Sequence, residues 1–509
     1  MNTNIRHLAV FFLFGGLLLL STTDLAVAAE YEANLDRSFS ISGPAKLNID
    51  ADRGSITVKT DSTDKVQVLV FRKIKGGSQE KADEHFKNHE VTFSQDGNNI
   101  SIVAKNKKIQ RSFTFADAGL EVRYEIIAPR KLDVDLKTSG GNIVVGDVDG
   151  QVLARTSSGE IKLSHVSGTV NAADSGGNIS IEEVGGTLVT KTSSGSITVG
   201  KARAKAEAAN SGGDIRIVEA GGDVVASTSS GSIKLSNVKG NVEVKDSGGD
   251  INIDSANGNV TASTSSGSIH LGSAGGEHVT LRDSGGNIET GEAAGTVTLE
   301  TSSGSIKVKS ARGELIARDS GGDIVIGDAG SGVTAQTSSG SIRINKARGV
   351  LELRNSGGDV IVQDAGSNAA LSTSSGSIHV VRARGKVDAK DSGGNIVIGE
   401  AQDMVLARTS SGEITVNFSV APKSESRLEV SGGGVKVGLP RGAGLDIDAQ
   451  SSGGNVVSSI AITTAVSGPT RRSAVQGKIN GGGSILVLRS SSGDIRISET
   501  ATLKAEAEK

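Results

Sequence analysis

Two short signatures alternate along this chain from residue 139 onward, and their spacing constrains the fold more than any other feature. One reads Asp/Asn-Ser-Gly-Gly-Asn/Asp-Ile, as at Asp174–Ile179, and the other reads Thr-Ser-Ser-Gly-Ser/Glu-Ile, as at Thr192–Ile197. All but one of the intervals between successive signatures are 18 residues long. The exceptional interval has one extra residue, at Gly276–His278, where we predict a bulge. A fixed period this short is typical of a solenoid.

The last residue of each signature defines position 0 of a repeating unit. These residues are 143, 161, 179, 197, 215, 233, 251, 269, 288, 306, 324, 342, 360, 378, 396 and 414. Apolar residues recur at positions 0, 2, 5, 9 and 11, as at Ile342, Ile344, Ala347, Leu351 and Leu353. Two pairs with a period of two predict two short strands per unit, and the glycines between them predict turns.

Composition supports a thin core over a large globular one. The 509 residues include 69 Gly but only 10 Phe, 2 Tyr and no Trp, so the bulky side chains that fill globular cores are scarce. We therefore predict an all-β fold, a single-stranded parallel β-helix or β-solenoid with about 18 residues per turn and irregular β caps.

The length of one turn follows from position 4. This position holds acids such as Asp328, Asp364 and Glu400 after the Gly-Gly signatures, and Lys346 or Arg382 after two of the Ser-Ser-Gly signatures. A turn of two units would stack acid on acid, which is destabilising, whereas a turn of one unit interleaves the charges. We predict that one unit makes one turn, with Lys346 one turn from both Asp328 and Asp364, and Arg382 between Asp364 and Glu400.

The period also divides the chain into segments. We predict a signal peptide at 1–28, an N-terminal β cap region at 29–138 and the regular solenoid at 139–414. The segment 415–509 would then form irregular β turns, a cap and a tail. The expectation for the two end regions is that they are atypical, because a solenoid must shield its terminal turns from solvent and from edge pairing.

The predicted signal peptide has the usual features of a secretory signal. Arg6 and His7 precede an apolar run at Leu8–Leu20, and Ala26–Ala28 fits a small-x-small cleavage site. The apolar run is short for a membrane span, and no second long apolar stretch follows it. These features predict an exported protein, in the periplasm, at the cell surface or outside the cell, with no transmembrane segment in its mature chain.

Several stretches carry a resemblance to a known family. They are Tyr124–Pro129, Leu132–Val134, Ser139–Ile143, Asn480–Gly483 and Ser491–Ile495, together with the Thr-Ser-Ser-Gly-Ser-Ile series. The chain resembles the bacterial "putative adhesin" family of unknown function, a β-strand-repeat family related to the head domain of "putative autotransporter adhesins". The resemblance covers most of the chain. It implies a β-helix-like fold and an exported, adhesive role, and it brings no catalytic residues.

No residue stands out as catalytic, cofactor-binding or metal-binding, because nearly all polar residues belong to the repeat. The exception is His85 and His89, four positions apart and flanked by Glu84 and Glu90. On a helix such a pair could hold a metal, but no third ligand is evident. We expect a short helix within Gly76–Asn88 and a solvated helix face at these histidines.

Position 1 points outward and is rich in basic residues, which predicts a mildly basic stripe along one face. An anionic polysaccharide at a cell surface is the partner that such a stripe would fit. The net charge of −3 gives no indication of nucleic acid binding. The residues of the stripe are Lys162, Lys234, His270, Lys307, Arg343 and His379.

These observations favour an exported, non-enzymatic, adhesin-like or structural envelope protein. One alternative is a β-helix polysaccharide lyase or hydrolase, although the lack of Trp leaves few aromatic platforms for sugars. A cleft lined by unrepeated acids and arginines would favour that enzyme. A second alternative is a calcium-binding β-roll, but alternate signatures carry Thr where such a roll needs Asp. A component of envelope-stress sensing and an ice-binding surface are further alternatives, the latter disfavoured because the repeated Thr lies at a turn.

Overall fold

The structure, a computed structural model, describes residues 29–107, 119–464 and 472–500. The predicted signal peptide lies outside the described residues. The fold is a parallel β-solenoid of about 17 turns with about 18 residues per turn. Within the described residues it contains one α-helix, α1 (Gln79–Asn88), which lies inside the segment where a short helix was expected. The predicted fold class is therefore confirmed.

The strands are numbered in chain order. Before the regular turns they are β1 (Glu30–Glu32), β2 (Leu35–Ser40), β3 (Ala45–Ala51), β4 (Ser55–Thr60), β5 (Lys65–Lys75), β6 (His89–Asp96), β7 (Asn99–Asn106), β8 (Leu120–Ala128) and β9 (Leu132–Lys137). The last strands are β41 (Ser426–Val430), β42 (Val435–Leu439), β43 (Leu445–Ser451), β44 (Val456–Ser458), β45 (Ala474–Ile479), β46 (Ser484–Ser490) and β47 (Ile495–Glu499).

Between these groups each turn contributes one strand to each of two parallel sheets. The first sheet has strands that start at position 0, and the second has strands that start near position 9. The first-sheet strands are β10 (Ile143–Val145), β12 (Ile161–Val166), β14 (Ile179–Val184), β16 (Ile197–Ala202), β18 (Ile215–Ala220), β20 (Ile233–Val238), β22 (Ile251–Ala256), β24 (Ile269–Ala274), β26 (Ile288–Ala293), β28 (Ile306–Ala311), β30 (Ile324–Ala329), β32 (Ile342–Ala347), β34 (Val360–Ala365), β36 (Ile378–Ala383), β38 (Ile396–Ala401) and β40 (Ile414–Phe418). The second-sheet strands are β11 (Val152–Arg155), β13 (Val170–Ala173), β15 (Leu188–Lys191), β17 (Ala206–Ala209), β19 (Val224–Ser227), β21 (Val242–Lys245), β23 (Val260–Ser263), β25 (His278–Arg282), β27 (Thr296–Glu300), β29 (Leu315–Arg318), β31 (Val333–Thr337), β33 (Leu351–Asn355), β35 (Ala369–Ser372), β37 (Val387–Lys390) and β39 (Val405–Thr409).

The strand register shows how many residues make one turn. Lys346 pairs with Asp328 on one side and Asp364 on the other, and Arg382 lies between Asp364 and Glu400. Equivalent positions of successive units are thus neighbours, which confirms the predicted turn and excludes a turn of two units.

The one long unit keeps the same stacking. Ile269 pairs with Ile288 and Val260 with Val279, so the register shifts by the same single position in both sheets there. The extra residue is absorbed in the turn before β25, and the ladders on either side continue without interruption.

The core is a narrow aliphatic column. Residues at positions 0, 2, 5, 9 and 11 are almost all buried; Ile342 and Leu353, for example, are fully inaccessible. Position 5 is Ala or Val, which leaves room for the chain to bend between the two sheets. The two largest fully buried side chains, Tyr124 and Phe418, lie near the two ends of the regular turns, where the repeat is lost.

A buried polar column at position 13 holds the turns that lead back to the first sheet. On Thr turns the hydroxyl donates to the glycine carbonyl of the preceding turn, as from Thr192 Oγ1 to Gly177 O at 3.1 Å. On Asp turns the carboxylate accepts backbone N–H groups of its own turn, as Asp174 does from Ser175 at 2.6 Å and from Gly176 at 3.3 Å. Buried polar groups are thereby satisfied on both kinds of turn, except that Asp283 Oδ2 has no hydrogen-bond partner among the described residues.

The N-terminal turn, β3 and β4, stacks directly on the turn of β9 and β10, although residues 61–131 separate them in sequence. The intervening segment extends both sheets. In the first sheet β8 pairs with β4, and antiparallel β5, β2 and β1 follow. In the second sheet β7 pairs with β3, and antiparallel β6 follows. Helix α1 connects β5 to β6 and so bridges the two sheets at this end.

The C-terminal turns are stacked out of chain order. Strands β46 and β47 lie between the turn of β41 and β42 and the turn of β43 and β44. Antiparallel β45 then pairs with β43. The outermost turn, β43 and β44, therefore comes earlier in the sequence than β46 and β47, which insert beneath it. The last two strands thus pair on both sides.

Candidate binding surface

Because every turn has the same register, outward side chains form straight columns along the rod. Successive side chains within one column are about 4.8 Å apart. The predicted stripe at position 1 lies on the first sheet, and its six residues are exposed. Arg216, adjacent to Lys234, belongs to the same column. Glu289 interrupts it by pairing with Lys307 at 2.9 Å and with His270 at 3.6 Å.

The second sheet carries a longer basic column that the sequence analysis missed. It lies at position 12, directly before the buried polar residue of each turn, and adjacent strands keep its members in register. Asp50, Glu300 and Glu429 are its acids. The signal was visible as a basic residue immediately before the signature. The cations are Lys137, Arg155, Lys191, Lys245, Arg282, Arg318, Arg354, Lys390, Arg408 and Arg489.

At the edge of the first sheet, acids at position 4 pair mainly with cations of neighbouring turns. Arg384 lies 3.2 Å from Asp364, and Arg348 lies 3.9 Å from Asp328, in each case from position 6 of the next turn. Arg382 contacts Glu400 at 2.8 Å within the position 4 column itself. The predicted neighbours of the ladder are correct, but Asp364 and Asp328 pair with the arginines at position 6.

A groove of about 550 Å³ lies beside the first regular turns. Arg130, Asp149 and His165 have no counterpart in the other regular turns, whereas the ion pair of Glu183 with Arg203 repeats the pairing of positions 4 and 6. The groove is therefore the kind of cleft that would favour a polysaccharide hydrolase or lyase. The charged residues that line it are Arg130, Asp147, Asp149, His165, Glu183 and Arg203.

The electrostatics of this groove do not suit glycoside hydrolysis. A hydrogen bond of 2.9 Å from His165 Nδ1 to Asp147 Oδ1 lowers the pKa of Asp147 and raises that of His165. Glu183 forms an ion pair with Arg203. Glycosidases need one carboxylic acid whose pKa is raised so that it can protonate the leaving group. The lowered pKa of Asp147 works against that protonated state.

The two helix histidines do not share a solvated face, so that expectation is wrong for His89. This residue caps the C-terminus of α1 and is only 1% exposed, because its ring packs into the N-terminal core. Its Nε2 lies 3.5 Å from Tyr124 Oη and 3.9 Å from Asp52 Oδ1. Burial lowers the pKa of His89, which favours the neutral imidazole. Across the part of the chain that the structure describes, no group of three or more His, Asp or Glu side chains could hold a metal.

The signature aspartates are also poorly placed for calcium. Asp174, Asp246 and Asp319 are each only 5–6% exposed. Their oxygens accept N–H groups of their own turns, as Asp246 Oδ2 does from Gly249 at 2.8 Å. Because a Thr turn lies between successive acidic turns, neighbouring carboxylates are about 9.6 Å apart, too far to share an ion.

Residues 45–309 and 237–365 match the sequence profile of the family described as Toastrack DUF4097. The chain belongs to the Toastrack DUF4097 family. The two matches overlap and together span more than half of the chain, and the resemblance to a β-strand-repeat family of unknown function is confirmed. No curated protein matches this Toastrack chain.

Two solved structures were found for comparison with this Toastrack protein. A "putative adhesin" from Bacteroides fragilis is 15% identical, with a TM-score of 0.27, and the match covers 54% of this chain and 97% of that one. A "putative cell adhesion protein" from Clostridium sporogenes is 8% identical, with a TM-score of 0.14, and the match covers 92% of this chain and 100% of that one. Neither likeness is close enough to carry a functional argument. Separately, the only helix in the described ranges, at 79–88, is too short and too polar to cross a bilayer.

Proposed function

We propose that this protein is an exported, non-enzymatic rod with an adhesin-like or scaffolding role in the bacterial envelope. The observation that carries the proposal is the register: equivalent positions of successive units are neighbours over the regular turns, so each outward position becomes a continuous column of like-placed side chains. A surface of this kind offers many equivalent contacts to an extended or repetitive partner.

The absence of enzymatic activity is part of the proposal. The N-terminal groove is the strongest candidate for chemistry, yet its Asp147 is held ionised by His165 and Arg130. Repeated side chains elsewhere present the same groups turn after turn, whereas catalysis needs a few different groups converging on one bond. Both features support binding over turnover.

Export and the division of the chain belong to the same proposal. The apolar run at Leu8–Leu20 and the small residues at 26–28 support a signal peptide at 1–28. A cap region at 29–138, a regular solenoid at 139–414 and a C-terminal region at 415–509 complete the division. Periplasm, cell surface and extracellular space all remain compatible with such a signal.

Binding of the purified protein to intact bacterial and host cells and to a glycan array tests this function. We expect saturable binding to a surface or to a class of glycans, without turnover of polysaccharides. The groove variant Asp147→Asn should bind as the wild type does. Polysaccharide cleavage by the wild type that Asp147→Asn or Glu183→Gln abolishes would contradict the proposal and favour the hydrolase or lyase.

A further inference from the structure

A column of exposed serines runs beside the basic column of the second sheet. The second residue of every signature between 139 and 410 is serine, which is position 14 of the unit, and all of these serines are exposed. They are 139, 157, 175, 193, 211, 229, 247, 265, 284, 302, 320, 338, 356, 374, 392 and 410. With one serine per turn, their spacing is about 4.8 Å along the rod.

The turn itself does not explain why this residue is always serine. The hydrogen bonds that hold the turn use the backbone N–H of Ser175, which donates to Asp174 Oδ1 at 2.6 Å. They also use the buried residues, as from Thr192 Oγ1 to Gly177 O at 3.1 Å. Other small polar residues favour such turns equally well. A hydroxyl that is kept on every turn, yet points to solvent, is therefore available to a partner.

The neighbouring cations indicate that the partner is anionic. Positions 12 and 14 flank the buried position 13, and both face outward. Arg282, Arg318, Arg354 and Lys390 follow one another at intervals of two turns, about 9.6 Å. Their side chains are 53–69% exposed. Acids of the same face, such as Glu300 and Glu352, contact several of them, so the net positive charge of this face is modest.

We propose that these two columns form one binding strip for a linear polyanion that lies parallel to the rod axis. The strip comprises the cations of position 12 and the serines of position 14 between residues 282 and 410. Cations attract the anionic groups, and serine hydroxyls donate hydrogen bonds to their oxygens. Asp323 and Asp359, at position 17 of two of these turns, lie on the opposite border of the turn and disfavour a polyanion there.

The strip rests on the proposed function, because it names the partner of a surface-binding rod. A polymer is favoured over a small anion for a physical reason. Each exposed contact is weak in water, and only a ligand that spans several turns adds such contacts without a further loss of translational freedom for each one. An anionic polysaccharide satisfies this condition, whether it belongs to the cell's own envelope or to a host surface.

Dextran sulfate is a suitable probe, with uncharged dextran as its control. We expect the purified protein to bind dextran sulfate, to bind more weakly as salt rises, and to leave uncharged dextran unbound. Removing three charges from the strip should weaken binding about tenfold. That variant is Arg318→Gln with Arg354→Gln and Lys390→Gln.

Two further variants localise the effect. Replacing three strip serines by alanine should weaken binding about threefold, through lost hydrogen bonds. A matched variant removes the same number of charges from the position 1 stripe of the first sheet, which is the competing surface for a polyanion. If the strip is the binding site, this variant should bind as the wild type does. All substituted positions are exposed, so circular dichroism and melting should be unchanged in every variant. The serine variant is Ser320→Ala with Ser338→Ala and Ser356→Ala, and the matched variant is Lys234→Gln with Lys307→Gln and Arg343→Gln.

The outcomes separate the strip from the proposed function. Equal loss in the two charge variants, no loss in the strip variants, or no binding of dextran sulfate by the wild type would overturn the strip. Cell binding that survives in the strip variants would do the same, while leaving the adhesin-like function in place. Binding of dextran sulfate through the strip by a protein that binds no cell would support the strip and contradict the proposed function.

Discussion

Gly177→Ala tests whether close stacking of successive turns is what requires the last glycine of each signature. A Cβ atom on Gly177 would lie 1.8 Å from the carbonyl oxygen of Gly159 on the preceding turn. The backbone of Gly177 does not have a left-handed φ, so its conformation alone would accept alanine. The same close approach recurs on other turns, at 1.9 Å for Gly195 and 2.1 Å for Gly231.

The free-energy cost follows from these contacts. To accept the methyl group the two turns must separate by roughly 1 Å, because carbon and oxygen do not approach closer than about 3 Å. Overpacking of this kind costs about 1–3 kcal/mol. The shift also disturbs the hydrogen bonds of Gly177 with Asp174 and with Thr192, each contributing about 0.5–1.5 kcal/mol. We therefore expect a destabilisation of about 3 kcal/mol on these grounds.

The neighbouring glycine offers a matched control. A Cβ on Gly176 would lie 3.4 Å from Ser157 O and 3.7 Å from Ser158 Cα, which is ordinary contact. Ser158 and Ser194 already occupy the same register on the adjacent turns. Gly176→Ser should therefore change stability by less than about 0.5 kcal/mol.

Urea denaturation followed by circular dichroism measures both variants. Because a repeat protein can lose structure locally, hydrogen exchange of the amides in the turns on either side of residue 177 should accompany it. We expect faster exchange there in Gly177→Ala and unchanged exchange in Gly176→Ser. Equal destabilisation by the two substitutions, or none by Gly177→Ala, would refute the argument from close stacking.

Two further perturbations test the electrostatics. Lys346→Glu places a third acid between Asp328 and Asp364 and should destabilise the rod by about 0.5–1 kcal/mol, part of which added salt recovers; a stabilised variant in urea denaturation would contradict the charge ladder. Burial lowers the pKa of His89, so the unfolded chain takes up the proton first, and stability should fall as pH drops below about 6.5. His89→Gln should flatten the pH dependence of melting between about pH 8 and pH 5, whereas exposed His270→Gln should not; identical pH profiles would count against the buried imidazole.

Much of the fold could be predicted from the sequence because one unit contains the whole pattern. Positions 0, 2, 5, 9 and 11 specify two strands and their inward faces, and the constant period then specifies the register of every neighbouring turn. The charges of Lys346 and its neighbours decided between a turn of one unit and a turn of two, because like charges are disfavoured in adjacent strands. Because every turn repeats the same pattern, a wrong assignment of strands in one unit would have been repeated in every unit.

The caps could not be predicted in the same way, because their contacts join segments far apart in sequence. The turn of β3 and β4 meets that of β9 and β10 across residues 61–131, and no period links the two. Likewise no local signal indicates that β46 and β47 fill a gap beneath an earlier turn. Burial of His89 has the same origin, since Tyr124 and Asp52 reach it only through this non-local packing.

The repeat also allows structural and functional constraints to be separated within a single chain. At position 16 glycine recurs because the preceding turn leaves no room for a side chain, and at position 13 Asp, Asn or Thr recurs because a buried polar group must be satisfied. Outward positions 1, 3, 10 and 12 vary, as expected where packing imposes no choice. Position 14 combines exposure with invariant serine, so neither packing nor turn hydrogen bonding explains it. A selective pressure that acts from outside the molecule, such as an extended ligand in contact with every turn, would produce this combination.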